Sequence, residues 1–419
     1  MAGGVGEAVA GETVTQAAQP DAAALKPWFI PILALLTSFG PVAIDMYLPA
    51  LPVIAREFGV GQGTVQMTLS WFLFGFGGGQ LVWGPLADRF GRKRPAAAGI
   101  LLFGLASAGC ALASDVDHLS AWRFLQGIGA CAAPVLARAM VRDSFTRDRA
   151  AATLSLMMLV MGVAPMLAPL AGGQVLGLST WRTIFWVQVG FALLALGGLA
   201  TLAETLPAAR RSRSAGPLAM LRGYGLLLAD RRFLGYTLSS GFVYAGMFAY
   251  ISGTPFVYIE YFQVPARYYG FLFGVNVIGM MAVNSFNARA VMRHGPGLLL
   301  RRGTQAAAVL GLVLLASGGS GIWGGGAGGI AGVAVPLFFY LATTGVVGAN
   351  GMAAALEKFP TMAGAASALA GTIQLSLGAL VGGAVGLLST GTPLAMCAII
   401  AACGLAGVAV NRLLLGRIA

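Results

Sequence analysis

Charged residues are scarce in this sequence of 419 residues: 10% are Asp, Glu, Lys or Arg, whereas 58% are hydrophobic. Because an ordinary soluble domain carries roughly 25% charged residues, this composition cannot coat a soluble globule. Histidine occurs only twice, and the four cysteines form no CxxC pair. We therefore expect neither a metal site nor a disulfide framework, and we interpret the cysteines as small buried hydrophobic residues.

Motifs for enzymatic or nucleotide-driven chemistry are also missing. The sequence contains no GxxxxGK[ST] loop that would cradle ATP phosphates. It contains no GxSxG or HExxH pattern of a hydrolase or metalloprotease. No Lys or Arg precedes Lys26, so the leader lacks the charged start of a secretory signal peptide. We expect a protein that is not an enzyme and needs no cofactor, and that draws on an ion gradient if it moves a solute uphill.

Long hydrophobic runs are abundant. A hydrocarbon core of ~30 Å requires ~20 apolar residues for each helical span, and the sequence repeats this pattern about twelve times. The apolar segments run over 28–51, 64–86, 95–114, 118–141, 150–173, 182–203, 233–259, 268–291, 298–317, 329–355, 361–388 and 392–413. The short alternating strands of a membrane barrel are absent. The sequence predicts an all-α membrane protein with twelve transmembrane helices.

A charged interruption at 204–232 divides these segments six and six. Two pseudosymmetric six-helix bundles joined by a linker are typical of one large class of secondary transporter. The predicted units are an N-terminal tail at 1–27, a bundle at 28–204, a linker at 205–232, a bundle at 233–414 and a tail at 415–419. The Gly-rich segment 317–329 is expected to be an outside loop, and because one chain contains both bundles, a monomer suffices.

The net charge of +12 is explained by topology. All but four of the 26 Lys and Arg fall at one set of span ends and loops; the exceptions are Arg56, Arg123, Arg182 and Arg267. Such asymmetry is the positive-inside rule, and it predicts a multi-pass protein of the cell inner membrane with both termini and the linker in the cytoplasm. The expected partner of the basic surface is therefore the lipid bilayer, with no nucleic acid.

Asp45 lies among apolar residues in the outer half of the first span. A carboxylate there costs at least ~2.5–3.5 kcal/mol, so it normally faces a cavity, a partner or a proton. Prolines at 41, 49 and 52 would interrupt the same helix and free carbonyl groups near the acid. We predict that Asp45 exchanges protons or binds substrate; the alternative is a carboxylate held permanently by a cationic partner.

A second motif, GPLADRFGRKRP at 84–95, connects the second and third spans. Gly84 and Gly91 permit close packing and a turn, and Asp88 can pair with an arginine or cap a helix start. Arg89 and Arg92 hold the basic rim. We predict a cytoplasmic gating element, whereas a simpler alternative is a topological anchor.

These motifs together resemble the major facilitator superfamily. The loop after the second span is similar to its GxLADRxGRR signature, and RFLQGIGA at 123–130 is similar to its R-x-x-Q-G-x-x-A element. GVAPMLAPLAGG at 162–173 resembles its antiporter motif, with Ala168 where glycine is usual. IDMYLPALP at 44–52 most resembles the bicyclomycin-resistance (Bcr/CflA) branch of drug:proton antiporters, and the resemblance extends over nearly the whole chain.

The resemblance implies roles for particular residues. Asp45 and Arg123 would couple protons to substrate, although Arg123 could instead be a snorkelling residue near the outer surface. The antiporter motif would comprise Gly162, Pro165, Pro169, Gly172 and Gly173. A permissive substrate cavity would include Tyr47, Gln126, Tyr244, Phe248 and Asn276. For the aromatic residues core packing is an alternative, and for Asn276 the alternative is a hydrogen bond that bridges two helices.

The functional hypothesis is proton-coupled efflux of small drugs or xenobiotics by alternating access, with the proton gradient as the energy source. The expected partners are a small-molecule substrate and protons. One alternative is a proton-coupled metabolite exporter or importer, because the fold does not fix direction or substrate. A second alternative is a membrane sensor or scaffold that transports nothing.

Overall fold

The computed structural model describes residues 27–211, 217–322, 324 and 326–416, and the regular structure in this part of the chain is helical. The first half contains α1 (Phe29–Thr37), α2 (Phe39–Ile44), α3 (Leu51–Phe58), α4 (Gln62–Phe90), α5 (Lys93–Ala111), α6 (Val116–Ser144), α7 (Arg147–Leu178) and α8 (Trp181–Ala200). The second half contains α9 (Pro217–Ala229), α10 (Arg231–Pro255), α11 (Ala266–His294), α12 (Pro296–Leu314), α13 (Gly326–Leu356), α14 (Ala363–Leu387) and α15 (Leu394–Val410).

Ten of the described helices are long and apolar enough to cross a membrane, and the bent α1–α3 segment makes eleven. α4 is long enough, with 29 residues, but its glycines and glutamines keep its average apolarity below that of the others. α4 occupies the place of the predicted second span. With α4 included, the twelve transmembrane helices predicted from the sequence are confirmed, and the protein is a multi-pass membrane protein.

The spans alternate in direction, so the molecule has two ends. We call the end with the α4–α5 loop, residue 27, residue 416 and the 201–230 connection the basic end. The other end, which carries the loops after α3, α5 and α7, is called the opposite end. The predicted tail 1–27 lies outside the described residues except for Pro27, and so do residues 417–419 of the predicted C-terminal tail.

The first span is broken at Ser38, where Pro41 has no N–H to donate to the Thr37 carbonyl, and its regular helix is interrupted again before Pro49. α1 and the segment from Phe39 to Phe58 meet at an angle of 41°. α2 ends at Ile44, and a 3₁₀ turn at Leu48–Ala50 precedes α3. Because Pro49 has no N–H, the carbonyl of Asp45 cannot receive the usual helical bond and accepts one from Leu48 N–H at 3.4 Å instead. The predicted segment 28–51 is thus too short, because helical structure resumes and continues to Phe58.

Glycines bring α6 unusually close to its neighbours in the N-terminal bundle. An ideal Cβ on Gly127 would lie 2.1 Å from the Phe72 carbonyl of α4, and one on Gly75 would lie 2.1 Å from the Phe124 carbonyl of α6. On the other side, a Cβ on Gly129 would lie 2.5 Å from the Phe103 amide of α5. Small residues of this kind replace hydrophobic driving force as the means of packing helices in lipid. They fix α6 as the central helix of its bundle.

The two bundles meet along α4–α14 and α7–α11. An ideal Cβ on Gly63 would lie 2.6 Å from the Gly386 carbonyl oxygen. Thr372 donates a hydrogen bond to the Gly77 carbonyl at 2.8 Å. Along α7–α11 the glycine contacts end near mid-helix, at Gly162 against Met281. Toward the basic end both of these helices expose apolar side chains. The described contacts therefore join the bundles at the opposite end, and along α4–α14 they continue into the basic half of both helices, where an ideal Cβ on Gly371 would lie 2.1 Å from Gln80 Oε1.

The connection between the bundles contains a helix. α9 lies within the predicted linker 205–232 and packs on the basic end of the C-terminal bundle, where Leu227 is buried in a small apolar cluster with Phe233 and Leu369. Asp230 then caps α10 by accepting hydrogen bonds from the Arg232 and Phe233 amides. The linker is anchored to one bundle over this stretch. Of the predicted outside loop 317–329, residues from Gly326 onward are helical.

Candidate transport site

Asp45 lies at the C-terminal end of α2, where the regular helix gives way to the 3₁₀ turn. Its side chain is 5% exposed. Among the described residues no ion pair or hydrogen bond to its carboxylate is found, so the alternative of a permanent cationic partner has no support there. A buried carboxylate without a counter-ion is costly unless it binds a proton or faces a polar ligand.

Across the bundle interface, Asp45 is near two tyrosines of the C-terminal half. It interacts electrostatically with the phenols of Tyr250 on α10 and Tyr269 on α11. Tyr250 accepts a hydrogen bond from Asn276 Nδ2 at 3.1 Å, and the Tyr269 hydroxyl is 3.0 Å from Thr254 Oγ1. The hydroxyl groups of Tyr250 and Tyr269 are therefore polar groups of the other bundle in the neighbourhood of the acid.

Arg123 is fully buried inside the N-terminal bundle. Its guanidinium lies 4.4 Å from the ring centroids of both Tyr47 and Phe72, and its Nη1 donates to Gln126 Oε1 at 2.5 Å. The same nitrogen donates to the Ala43 carbonyl at 3.0 Å. Two π faces and two acceptors contact the buried charge, whereas Nε and Nη2 have no hydrogen-bond partner among the described residues. The full burial of Arg123 does not fit the alternative of a snorkelling residue at the surface.

Gln126 extends this polar network within the bundle. Its Nε2 donates to Ser107 Oγ and to Gln188 Oε1, both at 2.7 Å. Gln188 in turn donates to the Val42 carbonyl at 3.0 Å. Gln126 is fully buried. Its polar groups are occupied by this network rather than presented at the bundle interface.

Asp45 and Arg123 do not form an ion pair. They are linked through the backbone of the first span, because Arg123 holds the Ala43 carbonyl and Gln188 holds the Val42 carbonyl just before the acid. Sequence reasoning named Tyr47 and Gln126 but missed Phe72, which contacts Arg123, and Gln188, which extends the network from Gln126, because both lie in other apolar spans. A polar residue inside an apolar span, as at Gln188, is the one feature that would have drawn attention to it.

The other predicted cavity residues fall in two groups. Tyr47 and Asn276 join the polar clusters, the former through its hydroxyl 2.8 Å from Thr68 Oγ1. Phe248 instead packs on Gly378 of α14, and Tyr244 packs on Gly348 of α13. These two contacts lie within the C-terminal bundle, and a role for either residue in substrate binding stays a prediction.

The predicted gating loop forms a charged network at the basic end. Arg92 donates to Asp88 Oδ1 at 2.5 Å and to Asp143 Oδ2 of α6 at 2.7 Å. Its backbone N–H donates to Glu204 Oε1 at 2.8 Å, and Lys93 N–H donates to Glu204 Oε2 at 3.1 Å. Glu204 therefore caps the start of α5. The network joins α4, α5 and α6 to the chain after α8.

Three further residues of this loop have distinct surroundings. Gly91 has φ +90°, and an ideal Cβ there would lie 2.5 Å from Glu204 Oε2. Gly84 has no atom within 4 Å of an ideal Cβ. Arg89 is exposed and lies over the Phe90 ring at 5.3 Å.

The predicted antiporter motif forms one face of α7. Gly172 lies against the carbonyl of Met46, directly after Asp45, with an ideal Cβ only 2.0 Å from that oxygen. An ideal Cβ on Gly173 would lie 2.8 Å from the Ala266 carbonyl oxygen of α11, and one on Gly162 would meet the Met281 side chain. Pro165 and Pro169 lie within the same continuous helix. The motif thus contacts both the broken first span and the second bundle.

Gln62 connects the bundles at the opposite end. Its Nε2 donates to Glu260 Oε2 at 2.8 Å, and its Oε1 accepts from Ser389 Oγ at 2.8 Å. One turn further in, Gln66 Nε2 donates to the Ser252 carbonyl at 3.0 Å. These bonds join α4 to the ends of α10 and α14, and they hold the opposite end closed.

Comparison with protein-family models matches residues 33–383 to the Major Facilitator Superfamily. The chain belongs to the major facilitator superfamily. The membership predicted from the motifs is thereby confirmed, and membership of a transporter family agrees with the expectation that the protein is not an enzyme.

Bacterial relatives extend over most of the chain. It is 40% identical to the uncharacterized MFS-type transporter YdgK of Bacillus subtilis over 363 residues, covering 86% of this chain and 88% of the relative. It is 32% identical to a bicyclomycin resistance protein homolog of Haemophilus influenzae, covering 90% and 93%. It is 30% identical to the multidrug transporter MdfA of Yersinia pestis, covering 64% and 68%. The resemblance to the bicyclomycin-resistance branch is confirmed at the level of sequence similarity.

A solved structure supports the fold independently of close sequence similarity. The crystal structure of a mutant of the nucleoside transporter NupG superposes with a TM-score of 0.74 at 11% identity, covering 93% of this chain and 99% of NupG. At that identity the likeness concerns the fold alone. The arrangement of two six-helix bundles is the fold of this superfamily.

Proposed function

We propose that the protein is a proton-coupled exporter that exchanges small amphipathic compounds for protons by alternating access. The observation that carries the proposal is Asp45, a buried carboxylate at a helix break between the bundles with no cationic partner among the described residues. Protonation removes the cost of burying its charge, whereas the ionised form favours a state in which water reaches it. The proton would therefore bias one arrangement of the bundles over the other.

The direction of exchange follows from topology. If the basic end is cytoplasmic, as the distribution of Lys and Arg predicts, Gln62 and Glu260 close the side away from the cytoplasm, and we propose that this conformation exchanges substrate with the cytoplasm. Substrate would enter from that side near Asp45 and the tyrosines that face it. Proton and substrate would prefer different bundle arrangements, which is the condition for obligatory exchange.

The proposed substrate class rests on relatives and on surface chemistry. Two relatives bear the names bicyclomycin resistance protein homolog and multidrug transporter. The surface opposite Asp45 combines the stacked rings of Tyr250 and Phe273, 5.4 Å apart, with the Asn276 amide. Aromatic faces with few fixed polar groups suit varied ligands that carry both apolar and polar parts.

Inside-out membrane vesicles test the coupling. With an acidic lumen, vesicles containing the wild-type chain should accumulate a fluorescent amphipathic cation such as ethidium, and the Asp45→Asn variant should not. Asp117→Asn is the matched control, because Asp117 is an exposed acid in the first turn of α6. Full accumulation by Asp45→Asn would remove the proton-site assignment. Uptake of substrate together with protons in right-side-out vesicles would instead establish an importer.

A further inference from the structure

A cavity lies in the C-terminal bundle at the basic end, away from Asp45 and the first bundle. Its volume is about 320 Å³, which is within the usual range for small-molecule sites. α10, α12 and α15 enclose it, together with the short π-helix Asn411–Leu415 that extends α15. The residues that line it are Tyr236, Gly297, Arg301, Thr304, Gln305, Val408, Asn411, Arg412, Leu415 and Gly416.

The cavity has a strong excess of positive charge. Arg301 of α12 and Arg412 at the end of α15 both line it, and no Asp or Glu is among its described lining residues. Within the described part of the chain, neither guanidinium forms an ion pair. Two arginines facing one concave space repel each other unless an anion lies between them. Their fork of N–H donors matches the oxygens of phosphate or carboxylate.

Neutral polar groups add to this surface. The Tyr236 hydroxyl and the Gln305 amide open into the cavity and have no hydrogen-bond partner among the described side chains and backbone groups. Asn411 is 8% exposed and lines the cavity, and its only described bond is a long one of 3.5 Å to Ser239 Oγ. Gly297 lies in the first turn of α12, so unpaired backbone N–H groups at that helix start favour an anion nearby.

The spacing of the polar residues distinguishes this cavity from a simple topological anchor. Arg301, Thr304 and Gln305 share one face of α12 at i, i+3 and i+4. Asn411 and Arg412 follow Val408 at the same spacing on the end of α15. Arg301, Arg302 and Arg412 are all exposed, but Arg302 does not line the cavity. Basic residues that only set the membrane orientation would not require the polar faces of α12 and of the end of α15 to line the same cavity.

We propose that this cavity binds a phosphate-bearing anion, outside the route between the bundles. Arg301 and Arg412 would hold the phosphate oxygens, while Gln305 and Tyr236 would donate to its ester or hydroxyl groups. Val408 and Leu415 supply an apolar wall beside them. This chemistry fits either the headgroup of an acidic phospholipid or a soluble phosphoester.

Binding measurements on the full chain in a neutral detergent test the proposal. Native mass spectrometry with phosphatidylglycerol, and with phosphatidylcholine as its zwitterionic counterpart, covers the lipid source. Calorimetric titration with glycerol 3-phosphate at low salt covers the soluble source. The wild type should bind phosphatidylglycerol in preference to phosphatidylcholine, or bind glycerol 3-phosphate, or both. Preference for phosphatidylglycerol without binding of glycerol 3-phosphate identifies the lipid, and binding of glycerol 3-phosphate identifies a soluble phosphoester.

Variants that remove or keep the positive charge test whether binding occurs in this cavity. Each guanidinium contact to an anion is worth roughly tenfold or more in affinity, so Arg301→Gln with Arg412→Gln should weaken binding by about a hundredfold. Arg302→Gln should leave it within about twofold. The Arg301→Lys, Arg412→Lys double variant keeps the charge but loses the guanidinium fork, so it should bind more tightly than the Gln double variant and less tightly than the wild type, which separates loss of charge from loss of folding. Absence of anion binding in the wild type, or equal loss with Arg302→Gln, would overturn the proposal.

Discussion

Gly91 and Gly84 belong to the same motif, yet the structure predicts opposite results when each is replaced by alanine. Gly91 ends α4 with φ 90° and ψ 170°, a region that is essentially restricted to glycine. A Cβ there would also displace Glu204, whose Oε2 atom lies 2.5 Å away. Gly84 lies inside α4 with nothing within 4 Å of an ideal Cβ, so alanine there removes the conformational cost of a helical glycine.

The expected destabilisation by Gly91→Ala has two parts. The backbone conformation costs on the order of 1–3 kcal/mol for a residue with a side chain. Displacement of Glu204 also breaks its bonds to the Arg92 and Lys93 amides, at 2.8 and 3.1 Å. Because Glu204 is only partly buried, we take the low end of the range for charge-assisted bonds, about 1.5 kcal/mol in total. The sum is about 2.5–4.5 kcal/mol, whereas Gly84→Ala should be neutral or stabilise by up to ~1 kcal/mol.

The four cysteines provide a bundle-specific assay. Cys110 and Cys131 lie in the first bundle and Cys397 and Cys403 in the second, and all four are buried. A thiol-reactive fluorophore added during a thermal ramp, followed by peptide mapping, reports when each bundle opens. In Gly91→Ala the first pair should react at a lower temperature than in the wild type, with little change in the second pair. An unchanged midpoint, or an equal drop in Gly84→Ala, would refute this account of the loop.

Two further predictions concern α7 and Glu204. Gly172→Ala should impair proton-driven transport in vesicles, because the added methyl group forces α7 away from the Met46 carbonyl. Gly177→Ala is the control and should leave transport unchanged, because an ideal Cβ there meets nothing within 4 Å. Equal effects of the two substitutions would contradict the contact between Gly172 and Met46. Partial burial opposes ionisation of Glu204, but the amides of Arg92, Leu206 and Lys93 and the Arg211 charge outweigh it and lower its pKa. Its stabilisation is therefore present above the ordinary glutamate range and lost as pH falls through the lowered folded pKa. Glu204→Gln should be less stable than wild type at neutral pH, with a smaller further loss on acidification; parallel acid-unfolding curves would contradict this.

The membrane spans were predictable because the bilayer selects for length and apolarity, which are visible in any single segment. α4 was the weakest case by composition, since its polar residues face the other bundle: Gln62 and Gln66 both bond across the interface. The ends of the helices were less predictable. α7 runs from Arg147 to Leu178, beyond the apolar segment 150–173, because a helix continues into the polar layers where apolarity no longer marks it.

Individual charged residues were predictable for a related reason. A charge inside an apolar run is rare and expensive, so Asp45 and Arg123 stand out in the sequence. Their surroundings do not, because they depend on tertiary packing. The Asp88–Arg92 pair is a neighbouring i, i+4 contact on one chain segment, but Asp143 and Glu204 reach Arg92 across 51 and 112 residues of sequence. No local pattern connects residues at such separations.

The packing around the first span gives the antiporter motif a physical link to the acid. Carbonyl groups on both sides of Asp45 are held by other helices: α6 holds Ala43 through Arg123, and α7 packs Gly172 against Met46. The proline-induced break frees this stretch from regular helical bonding, so its position depends on those external contacts. α7 also carries the contact with α11 through Gly173. A shift of the second bundle along α7 would therefore move the backbone that positions Asp45. If Asp45 is the proton site proposed above, its ionisation would act back on the same contact, which is the reciprocity that coupling requires.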